Sequence, residues 1–137
     1  MLTLISLTDQ VAVAPQISPI DMQDIARLGF KSVINNRPDE EEVGQPLNRK
    51  IEQEARKYQL NYYHQPVISG QITAQQVEMF TDLLAQCPKP VLAFCRTGTR
   101  CCMLWCMSSE DEMTLAERVA YAKEKGFNFS SLLEKDQ

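Results

Sequence analysis

Four short apolar runs, each followed by a segment of helical spacing, limit what this chain can fold into more than any other feature. The runs are Val11–Ala14, Phe30–Asn35, Leu60–Val67 and Val91–Phe94. Each has strand length, and Gly, Pro or Asn residues punctuate the stretches around them. Between the runs, Ser18-Pro19 places an N-cap and a proline at the first helical position. The predicted helix carries Ile20, Asp24 and Leu28 on one face and ends at Gly29. Leu47, Ile51, Ala55 and Tyr58 mark a second helix. Thr73-x-x-Gln76 is a capping box for a third, with Val77, Phe80 and Leu84 inward and Cys87-Pro88-Lys89-Pro90 as the stop. Cys101–Met107 reads as a fourth, and Thr114-x-x-Glu117 opens a fifth that Gly126 ends. The tail from about residue 130 is expected to add one turn or fray. The order β-α-β-α-β-α-β-α-α predicts an α/β fold, with a mostly parallel sheet of about four strands flanked by helices.

A parallel sheet sends every strand-to-helix loop to one carboxyl edge, where ligands bind. Three loops meet there: 36–46, 68–73 and 95–100. A length of 137 residues fits one domain over 1–137. The net charge of −4 argues against nucleic acid as a partner. No apolar run reaches membrane-spanning length, and Met1–Leu7 lacks the basic start and cleavage site of a signal peptide. Five cysteines, an odd number, fit a reducing cytoplasm better than a disulfide framework. With no C-x-x-C pair and His64 the sole histidine, no metal is expected, and nothing in the sequence asks for a cofactor.

The fourth strand runs into Cys95-Arg96-Thr97-Gly98-Thr99-Arg100. A strand, a cysteine, a tight turn and a helix start are the parts of an anion cradle. Gly98 permits a positive φ. Arg96, Thr97, Gly98 and Thr99 would turn their amides inward as an anion-binding nest, and the helix adds its positive end. Arg100 supplies a planar fork for oxyanions. The same surroundings favour thiolate at Cys95, which makes it a candidate nucleophile. The competing reading is an inert turn with a buried thiol. Cys87 reads as a helix-end residue, and Cys102 and Cys106 share a core face. Cys101 reads as packing, or as a resolving thiol for Cys95.

FCRTGTRC (Phe94–Cys101), GFKSVINNRPDEEE (Gly29–Glu42) and YYHQPVISGQIT (Tyr62–Thr73) together resemble a bacterial family related to dual-specificity protein phosphatases, the phosphatase-like domain of beta-lactamase-hydrolase-like proteins. The likeness spans roughly residues 11–129. It implies a cysteine-phosphatase fold, Cys95 as nucleophile and Arg100 as oxyanion clamp. It also implies that the Asn35-Asn36-Arg37 turn lines the site. Asn36, Arg37, Asp39 and Ser69 are the rim candidates, although the run Asp39–Glu42 reads most simply as a solvated loop. In related proteins such a domain is fused to a sulfur-metabolising enzyme and described as a sulfurtransferase.

The chain departs from the phosphatase pattern at two places. Four residues separate Cys95 from Arg100 where protein phosphatases have five, which resembles the rhodanese loop. The loop Ile68-Ser69-Gly70-Gln71 has no aspartic acid to protonate a leaving oxygen, and His64 reads as structural. Three functions follow as expectations. The first is a phosphomonoester hydrolase working through phosphocysteine on a small anionic substrate or a phosphoprotein. The second is a sulfurtransferase carrying a persulfide on Cys95 between a sulfur donor and an acceptor. The third is a non-enzymatic anion-sensing or redox module.

Overall fold

The computed structural model describes residues 2–108 and 113–134. Five strands form one sheet in the order β1-β2-β5-β3-β4, with β1 Ile5–Ser6, β2 Val11–Ala14, β3 Ser32–Asn35, β4 Asn61–His64 and β5 Val91–Phe94. Strands β2, β5, β3 and β4 are parallel, and β1 joins β2 antiparallel. The mostly parallel sheet is as expected. The fifth strand is an addition: two residues carry no readable period, so β1 left no mark in the sequence.

Register decides where the site forms. Ala14 and Asn35 both pair with Phe94, and Asn35 pairs with His64. The carboxyl ends of all four parallel strands are therefore level, and the next residues of each chain segment leave along one edge. Central β5 is buried at every position. Alternation sends Leu92 and Phe94 to one face and Ala93 and Cys95 to the other.

The Leu92 face packs on α1 (Met22–Arg27) and α2 (Asn48–Lys57), through Met22, Ile25, Ile51 and Ala55. The Cys95 face packs on α3 (Ala74–Gln86), α4 (Thr99–Met107), α5 (Leu115–Glu124) and α6 (Ser131–Glu134). The tail thus forms its extra turn as far as Glu134, and residues 135–137 lie outside the described residues. Both Thr73 and Thr114 accept from the amide three residues on, and Gln76 and Glu117 return the bond, so the two capping boxes form as read.

The residues Ile20, Asp24 and Leu28 do not form the packed face of the first helix. Ile20 and Leu28 lie in solvent, while Met22 and Ile25 are the buried pair. Ile20 lies in a 3-10 turn over Pro19–Asp21 before α1, and Leu28 is the C-cap that ends α1. The 3-10 spacing of three residues per turn shifts the phase of everything that precedes Met22. Among the described residues, no helix is long and apolar enough to cross a membrane.

Candidate active site

Cys95 is the first residue beyond β5, and its own amide still bonds back to the Ala14 carbonyl at 3.3 Å. The chain must then reverse within four residues to start α4. Gly98 makes this possible with φ +87° as the N-cap of α4. A Cβ there would stand 3.4 Å from the Ala14 carbonyl carbon and oxygen, so the turn needs glycine for both backbone conformation and room. Helix α4 begins at Thr99, two residues before the sequence suggested.

The reversal aims amides at the sulfur. Gly98 N–H donates to Cys95 Sγ at 3.1 Å. The charge on the sulfur is further favoured by the Cys101 thiol and by the amides of Cys101, Thr97 and Arg100. These donors hold Cys95 well below its usual 9.0, at about 5; the Cys101 thiol contributes most, and the amides outweigh the opposing cost of burial. Cys95 is therefore a thiolate at neutral pH, though completely buried. The proton stays on Cys101, which burial and the adjacent thiolate push well above its usual range. Thr97 and Thr99 sit outside, their hydroxyls 2.8 Å apart.

Beside the loop, with Arg96 and Arg100 in its wall, lies a cavity of about 410 Å³ lined also by Arg37, Glu41, Glu42 and Ser69. Of the rim candidates, Arg37 and Ser69 are there. Asn36 and Asp39 are not. Asn36 is fully buried and its side-chain amide donates to the Gln65 carbonyl at 2.8 Å, which ties the β3 exit to the β4 exit. Asp39 accepts the Asn48 amide at 2.8 Å at the start of α2. His64 Nε2 lies 2.9 Å from the Arg37 carbonyl and braces the same loop, a structural position.

Glu41 is the residue the sequence reading overlooked. Its carboxylate accepts end-on from Arg100, Nη1 to Oε2 and Nη2 to Oε1 at 2.8 Å each. Arg37 Nε reaches the same Oε1 at 2.7 Å. These two arginines hold the Glu41 carboxyl down at about 2, chiefly through the Arg100 hydrogen bonds. Arg37, itself 1% exposed, spends its other nitrogens on Gln16 at 2.9 Å and Glu42 at 3.0 Å. The run Asp39–Glu42 is thus not wholly solvated: Glu41 and Glu42 are the counter-charges of three site arginines. Arg100 is also fixed by the Val67 carbonyl at 2.9 Å.

Counting donors shows what Arg100 has left. Five N–H groups form the guanidinium. Glu41 takes one from each Nη, and Val67 takes the second from Nη1. The Nε–H and the remaining Nη2–H lie along one edge of the planar group and have no partner among the described residues. That edge is the two-pronged fork that grips an oxyanion. Glu41 therefore fixes the guanidinium without consuming its gripping edge. The site offers a buried thiolate, a ring of amides, and an immobilised arginine with one fork in hand.

The profile of one family, "Beta-lactamase hydrolase-like protein, phosphatase-like domain", matches residues 3–111. A Beta-lactamase hydrolase-like protein of Xylella fastidiosa is 34% identical over 105 residues, 77% of this chain. The matched segment is only 24% of that relative, so the chain spans about a quarter of its length. A crystal structure of a phosphatase candidate from Neisseria meningitidis is 37% identical and superposes with a TM-score of 0.83 over 96% of this chain and 94% of that one. Kinase associated phosphatase, 12% identical, shares the fold, with a TM-score of 0.74 over 94% of this chain and 86% of that one.

Proposed function

The chain belongs to the family of phosphatase-like domains of beta-lactamase hydrolase-like proteins, and from that premise we propose that it is a phosphomonoester hydrolase with Cys95 as nucleophile. The observation that carries the reading is the Cys95 thiolate in its amide ring beside the unspent fork of Arg100. Cys95 attacks phosphorus in line with the ester oxygen. Arg100 and the loop amides of 96–100 take the equatorial oxygens as charge moves onto them. The alcohol leaves, and water then cleaves the phosphocysteine, returning the thiolate.

Among the described residues, none is placed to protonate the departing oxygen. The loop after β4 offers Ser69 alone, and Glu41 is ionised and chelated. A general acid contributes about 10²–10⁴ in rate. The enzyme is therefore expected to prefer substrates whose oxygen leaves as a stable anion, such as aryl phosphates.

Sulfur transfer is the second reading, and the size of the ring favours it. Four intervening residues close around Cys95 so tightly that none of its surface is exposed. A single sulfur atom added to Cys95 needs less room than a phosphoryl group, and sulfite or a thiolate departs without a proton. The two readings separate in one experiment. The protein and its Cys95→Ser variant are given p-nitrophenyl phosphate and, separately, thiosulfate with cyanide. Cys95-dependent release of nitrophenol is the expected result. Thiocyanate formation with no nitrophenol overturns hydrolysis in favour of sulfur transfer.

A further inference from the structure

Strand β4 is the last of the sheet. The Asn61 and Gln65 amides donate to the Lys31 and Asn35 carbonyls along β3, at 3.0 and 2.9 Å. Alternate residues of a strand turn their main-chain groups to opposite sides. Those of Tyr62 and His64 therefore point away from β3, to a side where no strand lies among the described residues. Natural sheets blunt such an edge with charge, proline or brevity. The opposite edge, β1, has only two residues. The residues of β4, Asn61-Tyr62-Tyr63-His64, include no lysine, acid or proline. We propose that an extended segment of a partner protein, carrying lysine or arginine beside an apolar side chain, adds to β4 as a further strand.

Along this edge, between β4 and α3, runs a groove of about 630 Å³. Tyr63 and Leu83 form part of its wall and pack on one core, and Met79 lies half exposed beside them. The side-chain groups that seek a partner in the groove are acceptors. Gln65, more than nine-tenths buried, lines it with an Oε1 that has no hydrogen-bond partner among the described residues. A buried acceptor of this kind calls for a donor. Asp82 lines the groove too, one turn after Glu78. Helix α3 carries these two acids and no lysine or arginine. Neither acid is in an ion pair among the described residues.

The occupant follows from these groups. The outward N–H and C=O groups of Tyr62 and His64 are matched by an extended chain, which presents its own at the same spacing. Every second side chain of that segment falls on the Tyr63 face. There an apolar side chain covers Tyr63 and Met79. The next one on that face meets Asp82 and the Gln65 oxygen, and a cationic donor satisfies both. A second copy of this chain fits the edge but not the charge. Two β4 strands paired about a two-fold axis would bring the α3 helices together, with two acids on each and no base between them. The net charge of −4 opposes self-association in the same way.

This surface is independent of Cys95 chemistry, and its test reads binding rather than activity. The probes are two synthetic peptides, acetyl-Val-Thr-Lys-Thr-Val-Thr-Lys-Thr-amide and the same peptide with Glu for Lys. Amide hydrogen exchange of the whole chain is followed by NMR as each is added. The lysine peptide is expected to slow exchange about tenfold at Tyr62 and His64. The Gln65 amide, already bonded to Asn35, stays as it was. Methylating alternate amide nitrogens of the peptide removes the protection. Asp82→Lys changes an exposed position of α3. It is expected to keep the melting temperature, to weaken the lysine peptide about tenfold and to favour the glutamate peptide instead. No protection at Tyr62 and His64 with the lysine peptide overturns the proposal, as does equal binding of the two peptides. Protection that grows with protein concentration in the absence of peptide also overturns it, because the occupant is then a second copy. If Asp82→Lys does not fold, the two peptides on the native chain decide alone.

Discussion

Glu41→Gln is the substitution that tests how the clamp works. The native carboxylate accepts three charge-assisted bonds, two at 2.8 Å from Arg100 and one at 2.7 Å from Arg37. Glutamine keeps one oxygen, but its NH₂ faces a guanidinium N–H, donor against donor. The Glu41 carboxyl sits at about 2 rather than 4.5. At about 1.4 kcal/mol per pKa unit, that displacement corresponds to roughly 3 kcal/mol of stability. A quarter of the side chain is in solvent, and screening there brings the expected loss to about 1–2 kcal/mol. The sign follows from the direction of the shift. A depressed carboxyl contributes fully above its unfolded value of 4.5, and the contribution is lost as pH falls towards 2. Urea unfolding should therefore show the variant weaker at pH 7, with the gap narrowing below pH 4.5. Because Glu41 fixes Arg100 while leaving the Nε edge open, kcat/KM should fall about tenfold to a hundredfold, equivalent to about 1.4–2.8 kcal/mol. The opposite result, a rise in kcat/KM with tighter inhibition by inorganic phosphate, would refute the reasoning. Glu41 would then be a competitor for the anion site rather than the support of its arginine.

Alkylation of Cys95 by iodoacetamide should stay fast down to about pH 6 and halve near pH 5, where the thiolate protonates. A midpoint near 9 would mean that the amide ring does not act on the sulfur. Gly98→Ala should lower stability by about 1–3 kcal/mol through its positive φ and move the alkylation midpoint upward, because the turn that aims the Gly98 amide must shift away from the Ala14 carbonyl. Unchanged melting and alkylation would show that the turn does not depend on glycine.

The strand and helix order was readable because β2, β5 and β3 are short, apolar and buried throughout. Cys95, Gly98 and Arg100 were readable for a related reason: the conformation of one loop depends on its own residues, and those residues are contiguous. What failed lay between segments. Ile20, Asp24 and Leu28 were grouped on one helix because helical spacing assumes one period, whereas Ile20 belongs to the turn over Pro19–Asp21 and Leu28 caps α1. Asp39 was placed on the rim and Glu41 in solvent because the sequence gives no direction to side chains in a loop. A charge argument would have corrected this. Arg37, Arg96 and Arg100 were all expected on one edge, and buried guanidiniums require carboxylates. The acidic run Asp39–Glu42 begins two residues after Arg37. Which of its members turned inward depended on the reach of the loop.

The amide ring is usually credited with making the cysteine a better attacker, but the magnitudes assign it another task. Moving Cys95 from 9.0 to about 5 raises the thiolate fraction at pH 7 from about one per cent to nearly all. That is a gain of about a hundredfold in reactive species. Yet the intrinsic nucleophilicity of a thiolate falls with its basicity, with a slope of about 0.4–0.5 for attack on sulfur. Four pKa units then forfeit a factor of roughly 40–100, so attack gains little. The same loss of basicity makes Cys95 a better leaving group, and departure is what the second half of the cycle requires, whether the bond to break is S–P or S–S. The groups that contribute most to that shift are the Cys101 thiol and the loop amides. They are placed to receive the charge when Cys95 is expelled. Among the described residues no acid stands by the first leaving group while a ring of donors surrounds the second, so under the proposed mechanism formation of the covalent intermediate is expected to limit the rate.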